Sequence, residues 1–164
     1  MAATKPSIIL VHGAYHDSGC YDLVKERLEG LSYEVFTINS PTTNATSTTI
    51  NYKDDVEEIH KVMLPLFDAG KEVTIVGHSY GGITSCVSTE GQSIAERSKA
   101  GKKGGVRSIV FLCAFALIEK WTNVSEVNPQ ADISWVQFNE VSLGVPFRYL
   151  NAEKLQLGGL FGLQ

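Results

Sequence analysis

No histidine follows position 78 in this 164-residue chain, no stretch is apolar for long enough to cross a bilayer, and neither sign of charge dominates. Fourteen Lys and Arg against eighteen Asp and Glu leave a formal charge of −4, which makes no electrostatic case for a nucleic-acid or anionic-membrane partner. The one basic cluster, Lys99 to Lys103 with Arg97 and Arg107 around it, reads as a solvated loop. The first apolar run, Ile8 to Val11, is too short for a signal sequence or a membrane span, so a cytoplasmic, reducing setting is expected. Cysteine is scarce and odd in number. Cys20, Cys86 and Cys113 stand too far apart for a disulfide framework or a metal site, and the last two, in apolar segments, read as small buried hydrophobes. Repeats and low-complexity tracts are absent, and the length suits one domain with a sizeable core.

Four apolar runs are present: Ser7 to Val11, Glu34 to Asn39, Val73 to Gly77 and Arg107 to Phe115. They are continuous, not alternating, as expected for parallel strands covered on both faces. Between the first two, Tyr21, Val24, Leu28 and Leu31 recur at helical spacing, with Gly30 as the expected cap. Between the second and third, Tyr52, Val56, Ile59, Met63 and Leu66 do the same, and Asp54, Asp55, Glu57, Glu58 and Lys61 are read on the opposite, solvent face. A helix is expected over Ile83 to Thr89, then a polar loop over Gly91 to Gly105. Strand–helix alternation of this kind predicts βαβ units and an α/β, doubly wound parallel sheet. Residues 120 to 164 break the pattern with scattered aromatics and no further strand–helix pair.

The third run leads straight into Gly77-His78-Ser79-Tyr80-Gly81-Gly82, a G-x-S-x-G sequence at a strand end. Such a sequence presents a nucleophilic serine on a sharp strand-to-helix turn, where only small neighbours avoid a clash. The first run closes on His12-Gly13-Ala14, again with small residues at a strand end. His12 and His16 have the i, i+4 spacing of a metal pair, but on a loop and not a helix, so no metal is expected. His60 is read as a surface residue.

The run Ile8 to Asp17, the Gly-His-Ser-Tyr-Gly-Gly turn and Ile109 to Phe115 together resemble the α/β-hydrolase superfamily, and the His-Gly-Ala loop is similar to the branch of plant methylesterases and hydroxynitrile lyases. The resemblance covers roughly residues 6 to 118. It implies a doubly wound parallel sheet of hydrolase type, with residues 1–119 as its core and 120–164 as the start of a cap. It also implies a serine esterase that needs no cofactor and acts on a carboxylic ester, thioester or lactone of a small apolar molecule. Ser79 would attack the carbonyl, and the N–H groups of Ala14 and Tyr80 would form the oxyanion hole. His12 and His78 would be scaffolding, and His16 a pocket residue. Glu119 stands where some members place the triad acid.

In that superfamily the acid and the base follow the serine. Here no histidine does, so the C-terminal strands are expected to be lacking, and two alternatives stay open. One is an inactive remnant that only binds, the other a hydroxynitrile-lyase type of proton transfer through Ser79. Without those strands, Arg107 to Phe115 becomes an exposed edge through which copies could associate.

Overall fold

The computed structural model describes residues 5–116, together with the backbone of 136–139 and 147–150. Strands β1 (Ser7–Val11), β2 (Val35–Ile38), β3 (Glu72–His78) and β4 (Gly105–Leu112) form one parallel sheet in the order β2-β1-β3-β4. All four apolar runs are therefore strands. β1 is buried at every position because it is central and covered on both faces. Ile9 and Val11 point to one face, where Ile59, Met63, Leu66 and Phe67 of helix α2 (Tyr52–Asp68) meet Val73 and Ile75. Ile8 and Leu10 point to the other, packing with Tyr21 and Val35 and with Leu28 of helix α1 (Asp22–Gly30).

The order of strands explains this division. The chain runs from β1 outward to β2, then crosses back over β1 to β3 and continues to β4. With right-handed crossovers, a reversal of direction puts the connecting helices on opposite faces. It also makes the gap beyond the C-terminal ends of β1 and β3 a topological switch point, where doubly wound sheets hold their ligands. Helix α3 (Gly81–Ser88) starts at that gap.

Several local expectations are corrected. Gly30 does not cap α1. The left-handed residue is Ser32 (φ 62°), in a Schellman arrangement where Tyr33 N–H donates to the Leu28 carbonyl (3.1 Å) and Ser32 N–H to that of Glu29 (2.8 Å). The segment read as a polar loop contains a short helix, α4 (Ile94–Lys99), started by a capping box between Ser93 and Glu96. Arg97 is not solvated. It is buried with its guanidinium 4.6 Å from the Phe67 ring, and it donates to the Lys103 carbonyl and to Gln92. Asp55 is buried too, not on the solvent face of α2.

β4 also departs from the expectation of cover on both faces. Among the described residues its ladder partner is β3, with one further bridge from Val106 to Ser93, and Val110, Phe111 and Leu112 remain 42%, 39% and 42% exposed. Cys113, read as buried, is exposed, while Cys86 is half-buried; none of the three cysteines forms a disulfide. Beyond residue 116, β5 (Val136–Asn139) and β6 (Phe147–Leu150) pair with each other, antiparallel, in the region read as breaking the strand–helix pattern. The rest of the region read as a cap lies outside the described residues.

Two measurements check this packing. Ile75→Ala deletes a fully buried side chain between α2 and the sheet, and it should cost about 2–5 kcal/mol in denaturant unfolding. Leu23→Ala on the exposed face of α1 should stay within about 0.5 kcal/mol. Self-association through β4, the expectation set by its sequence, should appear as concentration-dependent sedimentation that Val110→Lys abolishes. A monomer at every concentration would remove the edge as an interface.

Candidate active site

β3 must become α3 within two residues, and the backbone does so through Ser79, whose φ of 51° lies in the left-handed region. A non-glycine residue there costs roughly 1–2 kcal/mol and persists only where its surroundings impose it. Tyr80 is already helical (φ −56°, ψ −35°). Gly81 then passes so close to β1 that an added Cβ would meet the Val11 carbonyl and lie 2.6 Å from that of His12. Only glycine permits that approach.

The backbone around Ser79 is clamped. Its N–H donates to the Leu112 carbonyl (3.3 Å), and its own carbonyl accepts Gly82 N–H (3.1 Å) and Phe115 N–H (3.3 Å). A trans peptide carries its N–H opposite its C=O, so fixing the Ser79 carbonyl from one side aims the Tyr80 N–H to the other.

The loop after β1 is built on the same logic. The Gly13 carbonyl accepts His12 Nδ1–H (2.8 Å) and His16 N–H (3.3 Å), which aims the Ala14 N–H away from both. His12 Nε2 accepts Ser40 N–H (3.1 Å), so the proton sits on Nδ1 and both ring nitrogens are engaged. Val11 and Gly77 are partners in the β1–β3 ladder, and a Cβ on Gly13 would lie 3.1 Å from Ser79 Cβ. The two strand ends named in the sequence therefore meet.

The remaining histidines are distributed as follows. His16 is exposed and donates from Nδ1 to the Ala14 carbonyl (3.0 Å). Its ring stands edge-on to that of His78, with centroids 5.8 Å apart. Burial, with the nearby His16 and His12, lowers the His78 pKa below the ordinary 6.5. His60, read as a surface residue, is half-buried, and its Nε2 donates to the Ser88 carbonyl (2.8 Å), tying α2 to α3. Glu119 lies outside the described residues. No group of three or more potential metal ligands occurs among them.

Asp55 was missed as a functional candidate. It is completely buried, and its carboxylate accepts Thr42 N–H (3.0 Å), Thr42 Oγ1–H (2.7 Å) and Tyr80 O–H (2.6 Å). The signal was available: Asp55 lies four residues before Ile59 and so shares its apolar stripe.

Against known proteins, a model described as the alpha/beta hydrolase family matches residues 8–162. The alpha/beta hydrolase nvfD of Aspergillus novofumigatus is 31% identical over 113 residues, covering 69% of this chain and 44% of that protein. Norfluorocurarine synthase 1 of a Strychnos species is 33% identical over 90 residues, covering 50% of this chain and 32% of that protein. In shape the chain is similar to polyneuridine aldehyde esterase, with TM-score 0.59, 16% identity, and 83% of this chain and 53% of that chain covered. A pyrethroid hydrolase from Sphingobium faniae JZ-2 gives TM-score 0.59 and 21% identity, with 84% and 54% covered. The chain spans less than half the length of the curated relatives it matches. The two solved structures speak for the fold alone.

The His78 environment sets a pH dependence. A histidine whose folded pKa lies below its unfolded value binds fewer protons when folded, so stability is full above about 6.5 and declines as pH falls through the folded pKa. Denaturant unfolding between about pH 5 and 8 should show that decline, and His78→Asn should flatten it. An NMR midpoint for His78 at or above 6.5 would refute the assignment.

Proposed function

The chain belongs to the alpha/beta hydrolase family, and from that premise we propose that it serves serine-dependent hydrolysis of a carboxylic ester, thioester or lactone of a small apolar molecule. The observation that carries this reading is the pair of peptides beside Ser79 whose carbonyls are each held by two donors. In the reaction, Ser79 Oγ adds to the substrate carbonyl carbon, and the Ala14 and Tyr80 N–H groups stabilise the oxygen as it becomes negative. Each such donor is worth about 3 kcal/mol of transition-state stabilisation, because it is aimed before the charge develops. The alcohol or thiol then leaves, and water releases the acyl group from Ser79. The name of the relative nvfD, an alpha/beta hydrolase 31% identical over 113 residues, is in keeping with this chemistry.

Among the described residues no side chain is assigned as the general base. His12 has both ring nitrogens engaged, His60 Nε2 donates to the Ser88 carbonyl of α3, and His16 Nδ1 donates to the Ala14 carbonyl. This favours a second reading, in which residues 1–164 hold the elbow without efficient turnover. Without an activating base a serine hydroxyl is a weak nucleophile at neutral pH. Oxyanion stabilisation and binding alone leave about 10³–10⁴-fold over water in triad enzymes.

The two readings separate on p-nitrophenyl esters and a fluorophosphonate probe, with intact-mass detection of the adduct. The expected result is slow acylation and labelling at Ser79 that vanish in Ser79→Ala. Equal rates for the two proteins would remove Ser79 as the nucleophile and leave the second reading.

A further inference from the structure

A carboxylate with no exposed surface needs a reason, since burying one is costly unless several donors satisfy it. Asp55 has three, and all come from outside its own helix: two from Thr42 and one from the phenol of Tyr80. Thr42 lies in the 3-10 turn Pro41–Asn44 that follows β2, and Tyr80 is the residue after Ser79. One carboxylate thus ties the segment after β2, the first turn of α2 and the start of α3 together. Of the three tethered groups, only Tyr80 belongs to the candidate site. Its side chain is itself 1% exposed and runs inward.

We propose that Asp55 is a positioning residue for the oxyanion hole, acting through the Tyr80 phenol to hold the 79–80 peptide. The inference rests on the reading of Tyr80 N–H as an oxyanion donor and adds the group that aims it. The Ser79 carbonyl of that peptide accepts from Gly82 and Phe115, and the Tyr80 carbonyl accepts Ile83 N–H (2.9 Å), while the phenol adds a hold at the far end of the side chain. A rotation about the Tyr80 backbone would swing its N–H, and the phenol resists this by anchoring the far end of a rigid side chain. The Tyr80 O–H is suited to the task. Burial first, and then the Asp55 charge, push its pKa far above the ordinary 10.0, so it stays a donor at every working pH.

The test compares wild type, Asp55→Asn, Tyr80→Phe and the double variant of the 164-residue chain, with Ile59→Val as a control. Ile59→Val removes one methyl group from the apolar cluster and leaves the Asp55 hydrogen bonds to Thr42 and Tyr80 in place, so it reports destabilisation alone. Fluorophosphonate labelling of Ser79 should slow about tenfold in each single variant, less than the 10²–10³ lost with a whole oxyanion donor. The loss should fall on the maximal labelling rate, with the half-saturating concentration unchanged. The double variant should be no slower than the slower single one, because both break one link. Ile59→Val should lower Tm and leave labelling unchanged.

A second readout is independent of chemistry. In ¹H–¹⁵N spectra the Tyr80, Gly81 and Gly82 amides should shift and exchange faster in Asp55→Asn and Tyr80→Phe, and not in Ile59→Val. Unmoved amides overturn the proposal, and so do moved amides with unchanged Ser79-dependent labelling. If wild type and Ser79→Ala label alike, the hydrolase reading fails by itself and the amides still judge the tether. Where Asp55→Asn does not fold, Tyr80→Phe, which removes one oxygen, carries the test.

Discussion

The Ser79 carbonyl accepts hydrogen bonds from Gly82 inside the turn and from Phe115 beyond β4, and the geometry at the C-terminal edge of the sheet depends on that pair. A left-handed non-glycine residue is unfavourable by roughly 1–2 kcal/mol, and each backbone hydrogen bond contributes about 1 kcal/mol net. The three bonds to the Ser79 backbone are therefore of the size needed to hold it there. They are also why a strand can hand over to a helix in two residues. The cost is local and the restoring contacts come from β4, some thirty residues later in the chain. An elbow cut off from β4 would relax.

The sheet supplies the second constraint. Because Val11 and Gly77 are ladder partners, the loops that follow them emerge side by side. Small residues on both let the backbones close on each other, with Gly13 beside Ser79 and Gly81 against the end of β1. The apolar core lies below this edge and is held mainly by packing, with the Tyr21 hydroxyl donating to the Val11 carbonyl (3.1 Å). At the edge, His12, Ser40, Thr42, Asp55 and Tyr80 are each nine-tenths buried or more, while Ser7 and Arg97 are buried away from it. This is the arrangement that a pre-organised site requires, since donors must be aimed before the reacting charge appears. It also follows that the site region is held mainly by directional bonds and the core mainly by packing.

Periodicity and motif spacing alone established the four strands and the parallel α/β class, and they located the sharp turn at Ser79 and the loop at Gly13-Ala14. They did so because each is a local pattern: a run, a spacing or a pair of small residues at a strand end. Tertiary structure decided the rest. Asp55 fits the apolar stripe of α2 and also the charged run beside it, and only the distant Tyr80 and Thr42 resolve which. His12 becomes a fixed donor, not a base, because Ser40 arrives from the next strand. Arg97 is buried because Phe67 and the Lys103 carbonyl receive it, and Ser32 takes the left-handed cap in place of Gly30. β4 is exposed although its sequence reads as interior, because exposure depends on which elements lie beside a strand and not on the strand. A sequence reports what each residue prefers; whether a polar side chain is buried, and what it holds there, is set by partners that the fold brings from elsewhere in the chain.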